Sequence, residues 1–169
     1  EIVGALTADE SAAVFGRIGA KAGMIPFKIT LARYNDSRQR VFNCQIANNR
    51  LLTPTMLRAA VASAAFYLGD FPPDHTIEYK VAIAVKGAAA ITFENISSDA
   101  GIDEVLSEGI STVALLMNNP YKQVDIESLE FEIKVSPTSI ISHIWSVDLS
   151  DSEVKAGDEL NIAVVVESF

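Results

Sequence analysis

Alternating apolar and polar residues cover much of the chain and predict β-strands, because successive side chains of a strand point to opposite faces. Residues 25–31 and 42–46 alternate on either side of the turn cluster 35–37, which indicates a first β-hairpin. Residues 77–85 keep the same period and, with the run 91–93, indicate a second hairpin. The first two thirds of the chain therefore contain two predicted hairpins.

The stretch 51–69 breaks this alternation and predicts a helix. Thr53 is the expected N-cap, Pro54 occupies the first helical position, and Gly69 ends the segment. From residue 56 to residue 68 the side chains are apolar nearly all round. Such a helix is normally buried on more than one side, so this one is expected at the centre of the core.

A second, amphipathic helix is predicted in the stretch where the period changes, from Ser97 to the stop at 118–120. Its apolar side chains share one face of a 3.6-residue period: Ile102, Val105, Leu106, Ile110, Val113 and Met117. Asp99, Asp103 and Glu104 lie in or near its first turn, where negative charge favours the positive end of the helix dipole. This pattern predicts a surface helix that packs on the rest of the fold.

The last fifty residues alternate again, with one change of phase. Apolar residues fall on even numbers at 124–126 and on odd numbers at 129–135, which predicts a bulge or a break near Glu127 and Ser128. Two further strands are predicted at 141–149 and 160–166. Closely spaced strands of this kind are common in β-sandwich modules, so a C-terminal β-meander is expected.

These elements together define the predicted fold class as α+β. Two helices pack on a mostly antiparallel β-sheet, and a β-sandwich-like meander follows them. The whole chain, residues 1–169, is expected to be one domain, since its length suits a single core. If it subdivides, the boundary lies near Pro120, between an α+β part at 1–120 and the meander at 121–169.

Composition and charge exclude several classes of partner. With 49% hydrophobic and 21% charged residues the chain has a globular composition, and its net charge of −9 argues against nucleic acid and anionic membranes. The apolar helix is shorter than the ~20 residues a bilayer requires, so no membrane insertion is expected.

Cys44, the single cysteine, allows no internal disulfide and is expected to be a buried structural thiol. The chain begins at Glu1 without an initiator Met or a signal-peptide pattern, which suggests a mature form or a piece of a longer protein.

Few residues have the types and spacing that catalysis requires. His75 and His143 are the only histidines, and each is expected to be structural rather than the base of a triad. No zinc spacing, phosphate-binding loop or cofactor motif is present, so neither a metal nor a cofactor is predicted. An acidic group near the C-terminus leaves weak calcium binding open beside the favoured interpretation of a solvated turn: Asp148, Asp151, Glu153 and Asp158.

The segment 16–27 is the candidate interaction surface. Arg17 and Lys21 supply positive charge in an acidic chain, and Met24 and Phe27 supply apolar area. Functional surfaces often lie on loops held by a rigid scaffold. The alternative is that Met24 and Phe27 simply begin a buried strand.

Three short runs near the N-terminus carry a resemblance to a known family. Residues 4–9 read GALTAD, residues 13–19 read AVFGRIG and residues 24–26 read MIP. Together they resemble the G-x-(V/L/I)-x-x-D…G-(R/K)-x-G…(M)-I-P run of sporulation stage IV protein B-type serine peptidases, whose domain is related to the chymotrypsin-like clan. Residues 51–54, 115–120 and 154–158 resemble an extension found downstream of that domain in some bacterial envelope proteins.

The family's catalytic motif is missing from this chain. Its nucleophile lies in a Gly-Ser-Pro motif, whereas Ser136-Pro137 follows Val135 here and no histidine falls in a matching motif. The resemblance therefore implies a non-catalytic binding or interaction module of a larger bacterial envelope protein, located outside the cytoplasm. An adjacent serine peptidase domain, or its peptide substrate, is the implied partner. The alternatives are a peptidase fragment that contributes substrate-binding surface, and a structural spacer.

Overall fold

The computed structural model describes residues 3–98 and 101–168. It contains two helices, α1 (Leu52–Ala65) and α2 (Asp103–Met117). The strands, in chain order, are β1 (Gly4–Glu10), β2 (Ala13–Ile18), β3 (Met24–Arg33), β4 (Arg40–Ala47), β5 (Thr76–Val85), β6 (Ile91–Ser98), β7 (Ile126–Ser136), β8 (Ser142–Leu149) and β9 (Ile162–Ser168). The predicted α+β class and its two helices are confirmed.

Five of the strands form a central mixed sheet in the order β4-β3-β7-β5-β6. The hairpins β3–β4 and β5–β6 are antiparallel, which confirms both predicted hairpins. Strand β7 lies between them, parallel to β3 and antiparallel to β5. Since β7 completes the sheet from the middle, residues after position 120 belong to the same core as those before it.

The central sheet is built from a repeated β-β-α unit. Strands β3 and β4 lead into α1, and strands β5 and β6 lead into α2, in the same order along the chain. Because β7 runs parallel to β3 and antiparallel to β5, the two units have opposite directions in the sheet. The edge strands β4 and β6 share the same sequence of exposed and buried positions. No repeat is visible in the amino-acid sequence at these positions.

The hydrophobic core lies between the sheet and the two helices. The odd-numbered side chains of β3, β5 and β7 point into it, and Phe131 at its centre is fully buried. From α2 the predicted apolar face contributes Ile102, Leu106, Ile110 and Val113, which are all buried. Met117 packs against this core. The side chain of Val105 and the whole of residue Asp99 lie outside the part of the chain that the structure describes.

Gly109 allows α2 to approach the sheet closely. A Cβ atom at this position would lie 2.8 Å from Cε1 of Phe131, whose side chain is fully buried in the core. We expect Gly109→Ala to lower the free energy of unfolding by about 1–2 kcal/mol, because overpacking exceeds the gain in helix propensity of about 1 kcal/mol. Chemical denaturation measures this, with Ser111→Ala on the exposed side of α2 as the control. A stabilised Gly109→Ala protein would contradict the close packing.

Helix α1 is buried on one side only, and the expectation of a helix enclosed in the core is wrong. Leu57, Val61 and Ala65 are fully buried, but Met56 is 44% exposed and Tyr67, just beyond the helix, is 56% exposed. The reason is architectural: the sheet has a single helical layer, and α1 shares it with α2, so no third layer covers the outside. Apolar composition alone did not distinguish the two faces.

The predicted cap of α1 is also wrong. Thr53 is fully buried inside the first turn, where its hydroxyl donates to the carbonyl of Ala47 and accepts from the amide of Asn49. Asn49 performs the capping role, because its Oδ1 accepts from the amides of Leu51 and Leu52 at 2.9 and 3.1 Å. Gly69 lies beyond the helix at a positive φ of 96°, in agreement with a terminating role.

The C-terminal strands differ in part from the prediction. The phase change near Glu127 is confirmed, because the β5–β7 register shifts between Ala84 and Val85, opposite Ser128 and Ile126. Strand β7, however, belongs to the central sheet, while β8 and β9 pair only with each other in a separate two-stranded sheet. A three-stranded meander is therefore not formed, since β7 finds partners in β3 and β5 instead.

Two smaller expectations concern Cys44 and the membrane. Cys44 is exposed, contrary to the expected buried thiol: it lies on the edge strand β4, where the core covers Ile46 on the same face but does not extend over Cys44. Within residues 3–98 and 101–168 no helix has the length and apolar character required to span a bilayer.

Candidate interaction surfaces

The outer face of the central sheet carries paired charges. Lys28 binds Glu130 at 2.8 Å and Lys134 binds Glu78 at 2.6 Å, in both cases across neighbouring strands. In the adjacent row, Lys80 is in register with Glu132 and with Glu94. These rows surround a shallow depression of about 650 Å³ with Thr30 and Ala32 in its lining. Because the charges alternate and largely neutralise one another, this face is a solvated surface with no strong preference for one charge of ligand.

The two histidines lie in different parts of the fold. His75 is buried before β5, where Nδ1 donates to the carbonyl of Pro72 at 2.8 Å and the ring stacks on Phe71 at 5.2 Å. His143 is exposed on β8, opposite Glu167 of β9. The structure therefore places the two rings apart, one next to the first residue of β5 and the other on β8. His75 has a packing role at the end of the core.

A contact between Tyr79 and Glu108 joins β5 to α2. The Tyr79 hydroxyl donates to the Glu108 carboxylate, and Asn95 also donates to that carboxylate at 3.4 Å. Burial raises the pKa of Tyr79, and the hydrogen bond to Glu108 raises it further. The phenol is therefore protonated at neutral pH and serves as a structural donor. Sequence pattern alone did not indicate this contact, since the two residues are far apart along the chain.

The acidic C-terminal residues do not converge on a metal site in the described structure. Asp158 accepts a hydrogen bond from the amide of Lys155 at 3.0 Å within its own turn. The Ser146 hydroxyl lies 3.5 Å from Oδ2 of Asp148. Across residues 3–98 and 101–168, no group of three or more His, Cys, Asp or Glu side chains could hold a metal ion.

The residues of the segment 16–27 divide between surface and core. Arg17 and Lys21 are exposed and Met24 is 45% exposed, so these three are accessible. Phe27 is 3% exposed and packs edge to face on Phe131, with 6.2 Å between the ring centres. Its ring belongs to the core, because Phe27 shares the inward face of β3 with Ile25 and Ile29. For Phe27, the alternative interpretation, a residue near the start of a buried strand, is therefore correct.

The N-terminal hairpin β1–β2 is exposed along its second strand. Leu6 of β1 is 78% exposed, and on β2 Val14 is 57% and Ile18 is 92% exposed. Register places Leu6 opposite Gly16 and Ile18 opposite Gly4. The hairpin is compact at Gly4, where a Cβ atom would lie 2.5 Å from the carbonyl oxygen of Arg17. It presents aliphatic side chains to solvent.

The C-terminal hairpin β8–β9 has one aliphatic face and one mixed face. Directly opposed residues lie on the same face, and three opposed pairs make the first face, which we call the aliphatic face: Ile144 with Val166, Val147 with Val164, and Leu149 with Ile162. The second face carries His143 with Glu167, Ser146 with Val165 and Asp148 with Ala163. All six residues of the aliphatic face are between 48% and 66% exposed.

A β-bulge produces this separation of the two faces. The register shifts between Ile144 and Ser146, so Trp145 is the extra residue of β8. Without the bulge, Ile144 would lie on the face opposite Val147 and Leu149. Strict alternation along the predicted strand 141–149 would place His143 and Trp145 on the same face as Val147. The bulge places His143 on the opposite face from the aliphatic residues.

Comparison with known proteins adds no assignment. No protein-family model, curated protein or solved structure matches the chain. The functional interpretation therefore depends on the surfaces described above and on the motif resemblance.

Proposed function

We propose that this chain is a non-catalytic interaction module whose docking surface is the aliphatic face of the β8–β9 hairpin. The observation that supports this most strongly is the uncovered set of six aliphatic side chains on one side of a two-stranded sheet. Contiguous apolar patches on soluble proteins commonly mark interaction sites. An isolated hairpin is also marginally stable in water, so a partner that covers this face would stabilise the strands themselves.

The sandwich-like character predicted for the C-terminal strands agrees with this proposal. A β-sandwich requires two sheets whose apolar faces pack together at a separation of about 10 Å. The β8–β9 hairpin supplies one layer with the appropriate alternation of faces. A partner that supplies a second apolar layer would complete the sandwich.

The resemblance to sporulation stage IV protein B-type peptidases supports a more specific setting. It favours a larger bacterial envelope protein outside the cytoplasm, with an adjacent serine peptidase domain or its peptide substrate as a partner. Arg17, Lys21 and Met24 form a second exposed surface available to such a partner. Phe27 is excluded from this surface by its burial.

Site-specific photo-crosslinking in the natural full-length protein tests the interaction role. A photoreactive amino acid in place of Ile144 is expected to give a covalent product with a protein partner, whether another chain or another domain. The same amino acid in place of Lys21 tests the second surface, and in place of Lys80, on the charged outer face, it serves as the control. A structural spacer would give no product above the Lys80 control from either surface, and that outcome would contradict the proposal.

A further inference from the structure

We propose that the occupant of the aliphatic face is the same face of a second copy of this chain, so that two β8–β9 hairpins pack into a four-stranded sandwich. This inference rests on the proposed interaction function and names the partner. Three features of the structure support it: the charge distribution of the hairpin, its shape and the exposed area of the molecule.

The charge distribution permits the face to meet itself. The three opposed pairs of the aliphatic face include no charged side chain, so two copies meet without burying a charge. The loop between the strands, residues 150–161, carries four acidic residues and one lysine. In a two-fold packing with the hairpins antiparallel, each acidic loop lies over the opposite end of the other hairpin. Like charges are then kept apart, and a parallel packing is disfavoured.

The shape of the face suits a two-fold interface. A two-fold interface uses the same patch on both subunits, so the patch must complement itself. A short two-stranded sheet with Val, Ile and Leu side chains on one side satisfies this requirement, since aligned sheet packing interdigitates side chains of this kind. A second copy is also present whenever the chain is made, and it can cover the face as soon as the hairpin forms.

The chain as a whole has more exposed surface than a compact monomer of its mass, which leaves surface for an interface. The chain exposes 11,650 Å² of surface, whereas a compact monomer of 18.2 kDa is expected to expose about 8,100 Å². The excess of roughly 3,500 Å² belongs to the whole chain, in which the hairpins β1–β2 and β8–β9 each pair only with themselves; a standard interface takes ~800 Å² from each partner. The hairpin and its loop also expose other apolar residues, among them Trp145, Val154 and Leu160.

Neighbouring valines of β9 provide a matched pair of variants. Val164 is 48% exposed on the aliphatic face, and Val165 is 50% exposed on the opposite face. Glutamate at either position changes strand propensity and net charge equally. Only Val164→Glu places a carboxylate in the proposed interface, and it does so twice because both copies carry it.

Sedimentation equilibrium of the purified 169-residue chain tests the dimer. We expect a mass twice 18.2 kDa for the unchanged chain and for Val165→Glu. For Val164→Glu, we expect the dissociation constant to rise at least about 100-fold, because a charge would have to be buried in an apolar contact. Val147→Glu on the opposing strand is the second variant. The core's unfolding transition in each variant shows that the central sheet is intact.

Several outcomes would overturn the dimer. They are a monomeric unchanged chain at all concentrations up to about 100 µM (a dissociation constant above about 100 µM, or a binding free energy weaker than about −5.5 kcal/mol), equal weakening by Val164→Glu and Val165→Glu, and weakening only by Leu6→Glu, which would assign the contact to the N-terminal hairpin. Crosslinking from Ile144 to a different protein, together with a monomeric purified chain, overturns the dimer but supports the interaction function. No crosslink from either surface, together with a monomer, overturns both.

Discussion

Replacing Leu57 by alanine is expected to lower the free energy of unfolding by about 2–5 kcal/mol. Leu57 is fully buried on the sheet-facing side of α1, one helical turn before the equally buried Val61. Alanine removes three carbon atoms there and leaves a cavity in a core that relaxes only partly. Denaturant unfolding measures the loss. All variants are compared at the same protein concentration, because the apparent stability of an associating chain depends on its concentration.

Met56 offers a matched control for this substitution. It precedes Leu57 on the same helix but is 44% exposed, so Met56→Ala is expected to cost less than about 1 kcal/mol. A loss below about 0.5 kcal/mol for Leu57→Ala would show that α1 contributes little to the core.

Replacing Arg33 by methionine is expected to lower the free energy of unfolding by about 3 kcal/mol, because the guanidinium completes the C-terminal end of α1. Arg33 is 4% exposed at the end of β3. It donates to the carbonyls of Ala65, Gly69 and Asp70 at 3.0, 2.7 and 2.8 Å. These carbonyls lie at or beyond the helix end, where a cation also favours the negative end of the helix dipole.

The ring of Phe71 packs against the Arg33 guanidinium. It lies 5.2 Å from the Arg33 guanidinium carbon, in cation–π geometry, and also stacks on His75. Methionine preserves much of the side-chain volume but leaves the three carbonyls without their donor. We expect Arg33→Lys to be intermediate, since an ammonium cannot reproduce the fork of a guanidinium.

Arg38→Met is the control for the Arg33 substitution. Arg38 is exposed in the turn between β3 and β4, so its loss is expected to change stability by less than about 0.5 kcal/mol. Denaturant unfolding of the three variants in parallel measures the difference. Equal stability of Arg33→Met and Arg38→Met would show that solvent satisfies the helix end as well as Arg33 does.

Local pattern was sufficient to predict most strands and both helices of the central sheet and its helical layer, and also the change of phase in β7. Period-two alternation identified the hairpins β3–β4 and β5–β6, and the 3.6-residue period identified the buried face of α2. The phase change at Glu127 was also visible in the sequence, because a bulge must shift the apolar residues by one position. These features depend on neighbours in the chain.

The candidate surfaces depended on contacts between distant residues, which no local pattern contains. Alternation at 25–31 separates the faces of Phe27 and Met24, but only the pairing of β3 with β7 brings the Phe27 ring against Phe131 and makes it part of the core. The aliphatic face of β8–β9 likewise required the bulge at Trp145 and the pairing with β9.

Hydrophobicity along the chain determined which residues avoid water and with what period, since side-chain direction follows from helix and strand geometry. Only the tertiary structure decided which apolar faces are covered. Strand β7 inserts between β3 and β5 and buries Leu129 and Phe131, whereas Val164 and Leu149 have equally apolar side chains and lie on a sheet with no second layer. Burial requires a partner surface as well as an apolar side chain, and strand pairing between distant segments determines where that partner surface is present.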